Sequence, residues 1–370
     1  MTTKLTQLTM SGFKSIAPEK PLTIELGDVT VLLGANGSGK SNIINFFKMM
    51  SFMMTGNFQS YIAKTGTSEV FFYYGLKHTE HIDGKLLFED KNNKDTYQFS
   101  LTHAVPDTLI FNSEVIEWQK EGDDKPFKLP LELNFKESAL LNYKSNQTAH
   151  VIYKRLANCK VYQFHDSSPE SKIRQASHKD LADYLQAEGG NLAAFLYRLK
   201  EKFPAYYGKI IRYIQQVMPQ FHDFYLEPNE KGFVMLKWTD NSPDDYMMLP
   251  QQFSDGTIRF IALATLLLQP PETMPNLILI DEPELGLHPY AINQLGYMIK
   301  AASEHAQVVV ATQSPGLVDE FEANQVTVVE KDEEKGCTIA HKLNEDDLKA
   351  WLKDYSLGQL WNKGVFGGQP

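Results

Sequence analysis

Residues 34–41 read Gly34-Ala35-Asn36-Gly37-Ser38-Gly39-Lys40-Ser41, and the fold turns on this octet. It follows a β-branched apolar run, Val29-Thr30-Val31-Leu32-Leu33. It precedes Ser41 to Met54, a stretch free of Gly and Pro and rich in Ile, Phe and Met. That order predicts strand, glycine loop and buried helix. Glycines let successive backbone N–H groups curl around a phosphate, and the helix N-terminus adds partial positive charge. In the pattern G-x-x-x-x-G-K-[ST], the lysine reaches the β/γ-phosphates and the final hydroxyl takes Mg²⁺. The expected cofactors are ATP and Mg²⁺. The expected nucleotide-binding residues are Asn36, Gly37, Ser38, Gly39, Lys40, Ser41 and Asn42, with Ser41 also on the metal.

A second apolar strand, Leu277-Ile278-Leu279-Ile280, ends in Asp281-Glu282. An Asp at that strand end can hold Mg²⁺, and the adjacent Glu can take a proton from an attacking water. Asp281 is thus a metal candidate and Glu282 a catalytic one. Phe253-Ser254-Asp255-Gly256-Thr257 lies ahead of them, with Ser254 27 residues before Asp281 at the start of a predicted helix. Ser254 reads as an ordinary N-cap, or as a hydroxyl at a helix N-terminus that attracts an anionic γ-phosphate.

Composition narrows the class. The 370 residues carry 36 Lys and Arg against 46 Asp and Glu, a formal charge of −10, which argues against coating nucleic acid over the whole surface. Cys159 and Cys337 are the two cysteines, with no CxxC, so a disulfide framework and a cysteine zinc site are disfavoured. The longest apolar stretch, Phe260 to Leu268, is too short for a membrane span, and the first residues lack a secretory pattern. A cytoplasmic protein without membrane contact is expected.

Four segments are expected. Residues 1–69 hold the N-terminal part of the core, and 70–178 form a β-rich subdomain of short alternating runs beginning at Val70-Phe71-Phe72-Tyr73-Tyr74. Residues 179–222 form a helical insertion with Tyr206, Ile210, Tyr213 and Val217 on one face. Residues 223–370 hold the second part of the core, with Gln307 to Ala311 a further strand. The fold class is α/β, a mixed-sheet P-loop core with flanking helices, assembled from both ends of the chain around an antiparallel β subdomain and a helical insertion.

Glycine loop, Ser-x-Gly at a helix start, then strand-Asp-Glu is the motif order of the ABC ATPases. With Phe13-Lys14-Ser15-Ile16, the octet plus Asn42, Asp281-Glu282-Pro283-Glu284-Leu285-Gly286-Leu287-His288-Pro289 and Ala311-Thr312-Gln313-Ser314-Pro315, the chain resembles their RecF/SMC-like branch. More narrowly it is similar to stand-alone bacterial ATPases related to the ATPase half of OLD proteins. The likeness extends through Tyr162-Gln163-Phe164-His165-Asp166, Leu357-Gly358-Gln359-Leu360-Trp361 and Gly367-Gly368-Gln369-Pro370. It implies an ATP-sandwiched homodimer in which Ser254, Asp255 and Gly256 of one copy contact nucleotide on the other. It also implies a DNA-related or anti-phage role through an effector in trans. A Toprim-like nuclease is one such effector, since the 57 residues after Gln313 are too few for a Toprim domain. An ATPase acting directly on DNA in repair, or a slowly hydrolysing scaffold for a partner toxin or nuclease, is the alternative.

The chain departs from the general ABC pattern in two places. Gln313 stands at the switch position usually held by His; it is either a second catalytic residue or a polar residue after a buried strand. His288 is either near a dimer interface or a loop cap, and Gln163 is a candidate for the family's metal-contacting Gln. Between Lys144 and Lys179, seven Lys and Arg oppose two acids. That segment, with Tyr153, Tyr162 and Phe164 available to stack on bases, fits a DNA face, an acidic partner's site or an ordinary solvated surface. A transporter subunit is disfavoured by the 213 residues separating Ser41 from Ser254. A GTPase is disfavoured by Asn93-Lys94-Asp95-Thr96, which has Thr where guanine selection needs Asp. A small-molecule kinase leaves the Ser254 and Asp281 motifs unexplained, and Glu282 argues against a module that binds nucleotide without turnover.

Overall fold

The structure, a computed structural model, describes residues 3–143, 145–241 and 246–369. The architecture is mixed α/β, with two compact units. One comprises residues 1–160 and 322–370, so both ends of the chain build it; the other comprises residues 161–321. These cuts fall elsewhere than the four expected segment boundaries.

In the first unit, strands Leu22–Glu25, Lys4–Ser11, His81–Glu89, Asn93–Ala104, Thr108–Lys120 and Phe127–Pro130 form one antiparallel sheet in that order. Alternation decides which face is buried: Ile82, Leu86 and Phe88 point inward while Asp83 and Lys85 point out. The sheet starts later than the sequence suggests. Val70-Phe71 belongs to a 3₁₀ turn, Ser68–Phe71, and Phe72 makes a lone bridge to Phe13. Phe71 is buried against Phe13, so the aromatic run plugs the core as a turn instead of pairing along a strand. Phe13 also meets Phe46 edge-to-face, centroids 5.1 Å apart, which fastens the helix Lys40–Met53 to this core. Strand Val29–Leu33, buried at every position, runs parallel to Val326–Lys331, which pairs antiparallel with Thr338–Lys342. Continuous burial of a β-branched run is what a central parallel strand requires.

In the second unit, Leu277–Asp281 runs parallel to Gln307–Thr312, with Asp281 beside Ala311. Both strands are buried throughout. Helix Asp255–Leu268 is apolar nearly all round and correspondingly buried, and it packs on helix Pro289–Ser303. Each such Leu, Ile or Val contributes about 1.5–3 kcal/mol on burial. The helical insertion is shorter than expected. Residues 180–191 are not helical, and the rest splits into Leu192–Lys202 and Pro204–Val217, because Gly189-Gly190 precedes the first helix and Pro204 ends it and opens the second. The buried stripe is Tyr207, Ile210 and Ile214; Tyr206, Tyr213 and Val217 lie one position off it and are half-buried. Among the described residues no helix is long and apolar enough to cross a membrane.

Asn93-Lys94-Asp95-Thr96 begins a strand, with Asp95 opposite Trp118 and 8% exposed. Burial, and then the charge of Asp90, push the Asp95 carboxyl up to about 6. The folded state therefore disfavours the ionised form. That penalty is absent well below the ordinary carboxylate range and complete above about pH 6. Asp95→Asn should raise the thermal midpoint at about pH 7.5 and leave it nearly unchanged at about pH 4. Equal gains at the two pH values would contradict this assignment.

Candidate functional site

A loop that turns its N–H groups outward must turn its carbonyls inward, where each needs a donor. The glycine loop meets this condition from two sides, and a third contact anchors it at the Ala35 N–H. The Lys40 ammonium, on a residue 4% exposed, donates to the Gly34 carbonyl at 2.7 Å and the Ala35 carbonyl at 2.9 Å. The Thr338 hydroxyl donates to the Ser38 carbonyl at 3.0 Å. The Gly368 carbonyl accepts the Ala35 N–H at 2.8 Å, and the Gly368 N–H donates to Glu330 Oε2 at 2.9 Å. Ser15 sits behind the loop, bonded to Thr338 Oγ1 at 2.7 Å and accepting from Asn42 Nδ2 at 2.7 Å. The Phe13-Lys14-Ser15-Ile16 motif is thus the rear brace of the loop.

Two glycines are required by space. A Cβ on Gly34 would lie 2.1 Å from the Val329 carbonyl oxygen, and one on Gly39, at φ +112°, 2.1 Å from Thr338 Oγ1. Asn36 and Gly37 form the exposed crest. Ser38 Oγ is buried and has no hydrogen-bond partner among the described residues. The N-terminus of helix Lys40–Met53 adjoins this loop, its Asn42 N–H donating to the Gly39 carbonyl at 3.0 Å. An orphaned hydroxyl, a helix N-terminus and a Cβ-free cradle fit a polyphosphate. Ser41, exposed at the second position of that helix, could present its hydroxyl to Mg²⁺.

In the second unit, Asp281 is buried at the end of its strand, and its carbonyl oxygen lies 2.8 Å from His165 Nε2. Glu282 follows in the left-handed region, φ +44°. Its N–H donates to the Ala311 carbonyl at 2.8 Å and its carbonyl accepts the Leu285 N–H at 3.2 Å. Such backbone costs about 1–3 kcal/mol and persists where surrounding structure over-determines it. Glu284 Oε1 accepts the Thr312 hydroxyl at 2.6 Å and the Gln313 N–H at 3.3 Å. Burial holds the Glu284 carboxyl above the usual range.

Ser254 is exposed and caps helix Asp255–Leu268, accepting the Thr257 N–H at 3.1 Å and bonding Thr257 Oγ1 at 2.8 Å. Its hydroxyl is thus the N-cap of this helix, as the sequence allows. Asp255, 63% exposed, pairs with Arg174 Nη2 at 2.9 Å. Gly256 lies so close to the next loop that a Cβ would be 2.3 Å from the Gly286 carbonyl oxygen.

Arg174, 4% exposed, also donates to the carbonyls of Ser167, Pro250 and Phe253. Arg259 donates to those of Phe164, His165 and Leu285 and to the Ser167 hydroxyl. The two arginines tie the 164–167 segment to the start of the Ser254 helix. Arg259 is the lone basic residue of an apolar helix, a cue that spacing alone does not flag. Gln163 donates its backbone N–H to the Ala187 carbonyl, and it is His165 that meets Asp281. His288 caps helix Pro289–Ser303, its Nδ1 accepting the Tyr290 N–H at 3.3 Å.

The residues of the basic segment differ in exposure, with Lys154, Lys172 and Lys179 exposed. Arg174 is internal, Lys172 pairs with Glu188 at 2.6 Å, and Tyr162 and Phe164 are buried and cannot stack on bases. Lys144 and Pro370 lie outside the described residues.

A family model described as "AAA domain, putative AbiEii toxin, Type IV TA system" matches residues 29–319. No curated protein matches the sequence. Solved structures share the fold at low identity. One is an SMC head bound to the C-winged helix domain of ScpA: 17% identical, TM-score 0.60, covering 93% of this chain and 99% of that one. An SMC head domain from Thermotoga maritima is 16% identical at TM-score 0.52, covering 93% and 100%. An SMC head with an extended coiled coil, bound to the C-terminal domain of ScpA derived from Pyrococcus furiosus, is 15% identical at TM-score 0.57, covering 95% and 99%.

Gly34→Ala should push the loop off the Val329 carbonyl. Binding of a fluorescent ATP analogue should fall at least about tenfold while far-ultraviolet circular dichroism is kept; unchanged affinity would contradict the close packing described.

Proposed function

The chain belongs to this AAA-domain family and is an ATPase, and on that premise we propose that ATP pairs two copies of it and that hydrolysis releases them. Lys40 and the backbone N–H groups of residues 36–42 hold the phosphates. Ser41 and Asp281 hold Mg²⁺, which when bound would neutralise phosphate charge. Glu282 takes the proton of the attacking water, and Gln313 orients that water with its amide. Ser254, Asp255 and Gly256 of the second copy contact the γ-phosphate with the N-terminus of their helix.

The observation that carries this reading is the left-handed backbone of Glu282, held by hydrogen bonds on both sides directly after a buried strand-end Asp. Backbone of this kind collects at functional sites. The exposed Ser254 turn, beside a loop whose Leu285 is 43% exposed, supports a second copy as its partner.

The output of this switch is a protein effector in trans. The family description names a putative toxin of a type IV TA system, and two of the SMC heads of similar fold are bound to domains of ScpA. An anti-phage or DNA-related effector, such as a Toprim-like nuclease, suits that arrangement. A protein partner is favoured over direct DNA contact because Arg174, Tyr162 and Phe164 are spent inside the fold.

Lys40→Ala should lose ATP binding, whereas Glu282→Gln should bind ATP normally and turn over about 100-fold more slowly. Equal loss of binding in both variants would refute the separate roles. Ser254→Arg should bind ATP as a monomer without ATP-dependent gain of mass in mass photometry. A variant that still doubles its mass would remove Ser254 from the γ-phosphate contact.

A further inference from the structure

We propose that Glu284 is a positioning residue for hydrolysis, its carboxyl fixing the switch residue Gln313 relative to Glu282. This deepens the reading above and rests on the roles given there to Glu282 and Gln313. The two loops leave neighbouring parallel strands at the same end, after Asp281 and after Thr312. Two links cross between them. The Glu282 N–H donates to the Ala311 carbonyl, which sets the height of one loop on the other. The second link is Glu284 Oε1, which accepts both the Thr312 hydroxyl and the Gln313 N–H. Thr312 Oγ1 in turn accepts the Ser314 N–H at 2.9 Å, so Gln313 is held from both flanks by groups gathered on one carboxyl oxygen.

The chemistry suits a fixed anchor. The carboxyl is buried, and its other oxygen, Oε2, has no hydrogen-bond partner among the described residues. Burial holds this carboxyl above the usual carboxylate range. What Glu284 supplies is an acceptor at a fixed place. An amide carbonyl can supply the same, and a methyl cannot.

The test is steady-state ATP hydrolysis by the full chain carrying Glu284→Ala, Glu284→Gln, Thr312→Val or Glu284→Ala with Thr312→Val. Glu284→Ala should lower kcat about tenfold or more with KM for ATP unchanged, since it displaces a water-orienting residue and leaves the phosphate loop alone. Glu284→Gln should restore kcat to within about twofold. Thr312→Val should lower kcat in the same sense, and the double variant should be no worse than Glu284→Ala alone. Glu284→Gln as slow as Glu284→Ala would overturn the proposal, as would a rise in KM at unchanged kcat. Glu282→Gln measured alongside keeps the two readings apart. Full turnover there overturns the role of Glu282 and this proposal with it. A slow Glu282→Gln together with a fully active Glu284→Ala overturns the positioning role alone.

Discussion

The constraint on which the structure depends is the fate of inward-facing carbonyls. A phosphate-binding loop is useful because its N–H groups face outward, and this geometry strands C=O groups in the interior, where an unmet acceptor costs about 1–3 kcal/mol. Lys40 answers for Gly34 and Ala35, and Thr338 answers for Ser38. The lysine that defines the motif therefore has structural work before any substrate arrives. Thr338 is far away in sequence, which is why a loop near residue 40 needs the strand Thr338–Lys342 and the Gly368 segment of the same unit.

The second unit solves the same problem with guanidinium groups. Arg174 and Arg259 between them donate to six backbone carbonyls in the segments around 164–167, 250–253 and 285. Arg presents up to five donors in a fixed plane, so one side chain satisfies several loop carbonyls at once and holds the loops in mutual register. Buried cations in this chain are thus mostly structural.

The motif-bearing elements were legible because their signals are local. The strand Val29–Leu33, the loop and helix that follow, the Ser254-capped helix and the strand before Asp281 all stand where apolar runs and glycines put them. Family and fold followed from the order of those motifs. The supports were not legible. Nothing in the spacing of Ser15, Thr338, Gly368, His165 or Arg259 shows which carbonyl each will meet, because those contacts join residues far apart in sequence. Two errors had the opposite origin. Phe71, Phe72 and Tyr73 have strand propensity but are consumed in the core around a turn, and the buried stripe on helix Pro204–Val217 is Tyr207, Ile210 and Ile214, sharing Ile210 with the expected face. Glu284 stands in the motif that follows Asp281, and its meaning appears only beside Thr312.

We propose that a second copy of the chain completes the catalytic arrangement. The most direct measurement is specific ATPase activity of the unmodified protein over a wide range of protein concentration, at saturating ATP and Mg²⁺. Activity per chain should rise with concentration and level off once pairing is complete. Activity per chain that stays constant down to the lowest concentration, in a sample shown to be monomeric there, would contradict the claim.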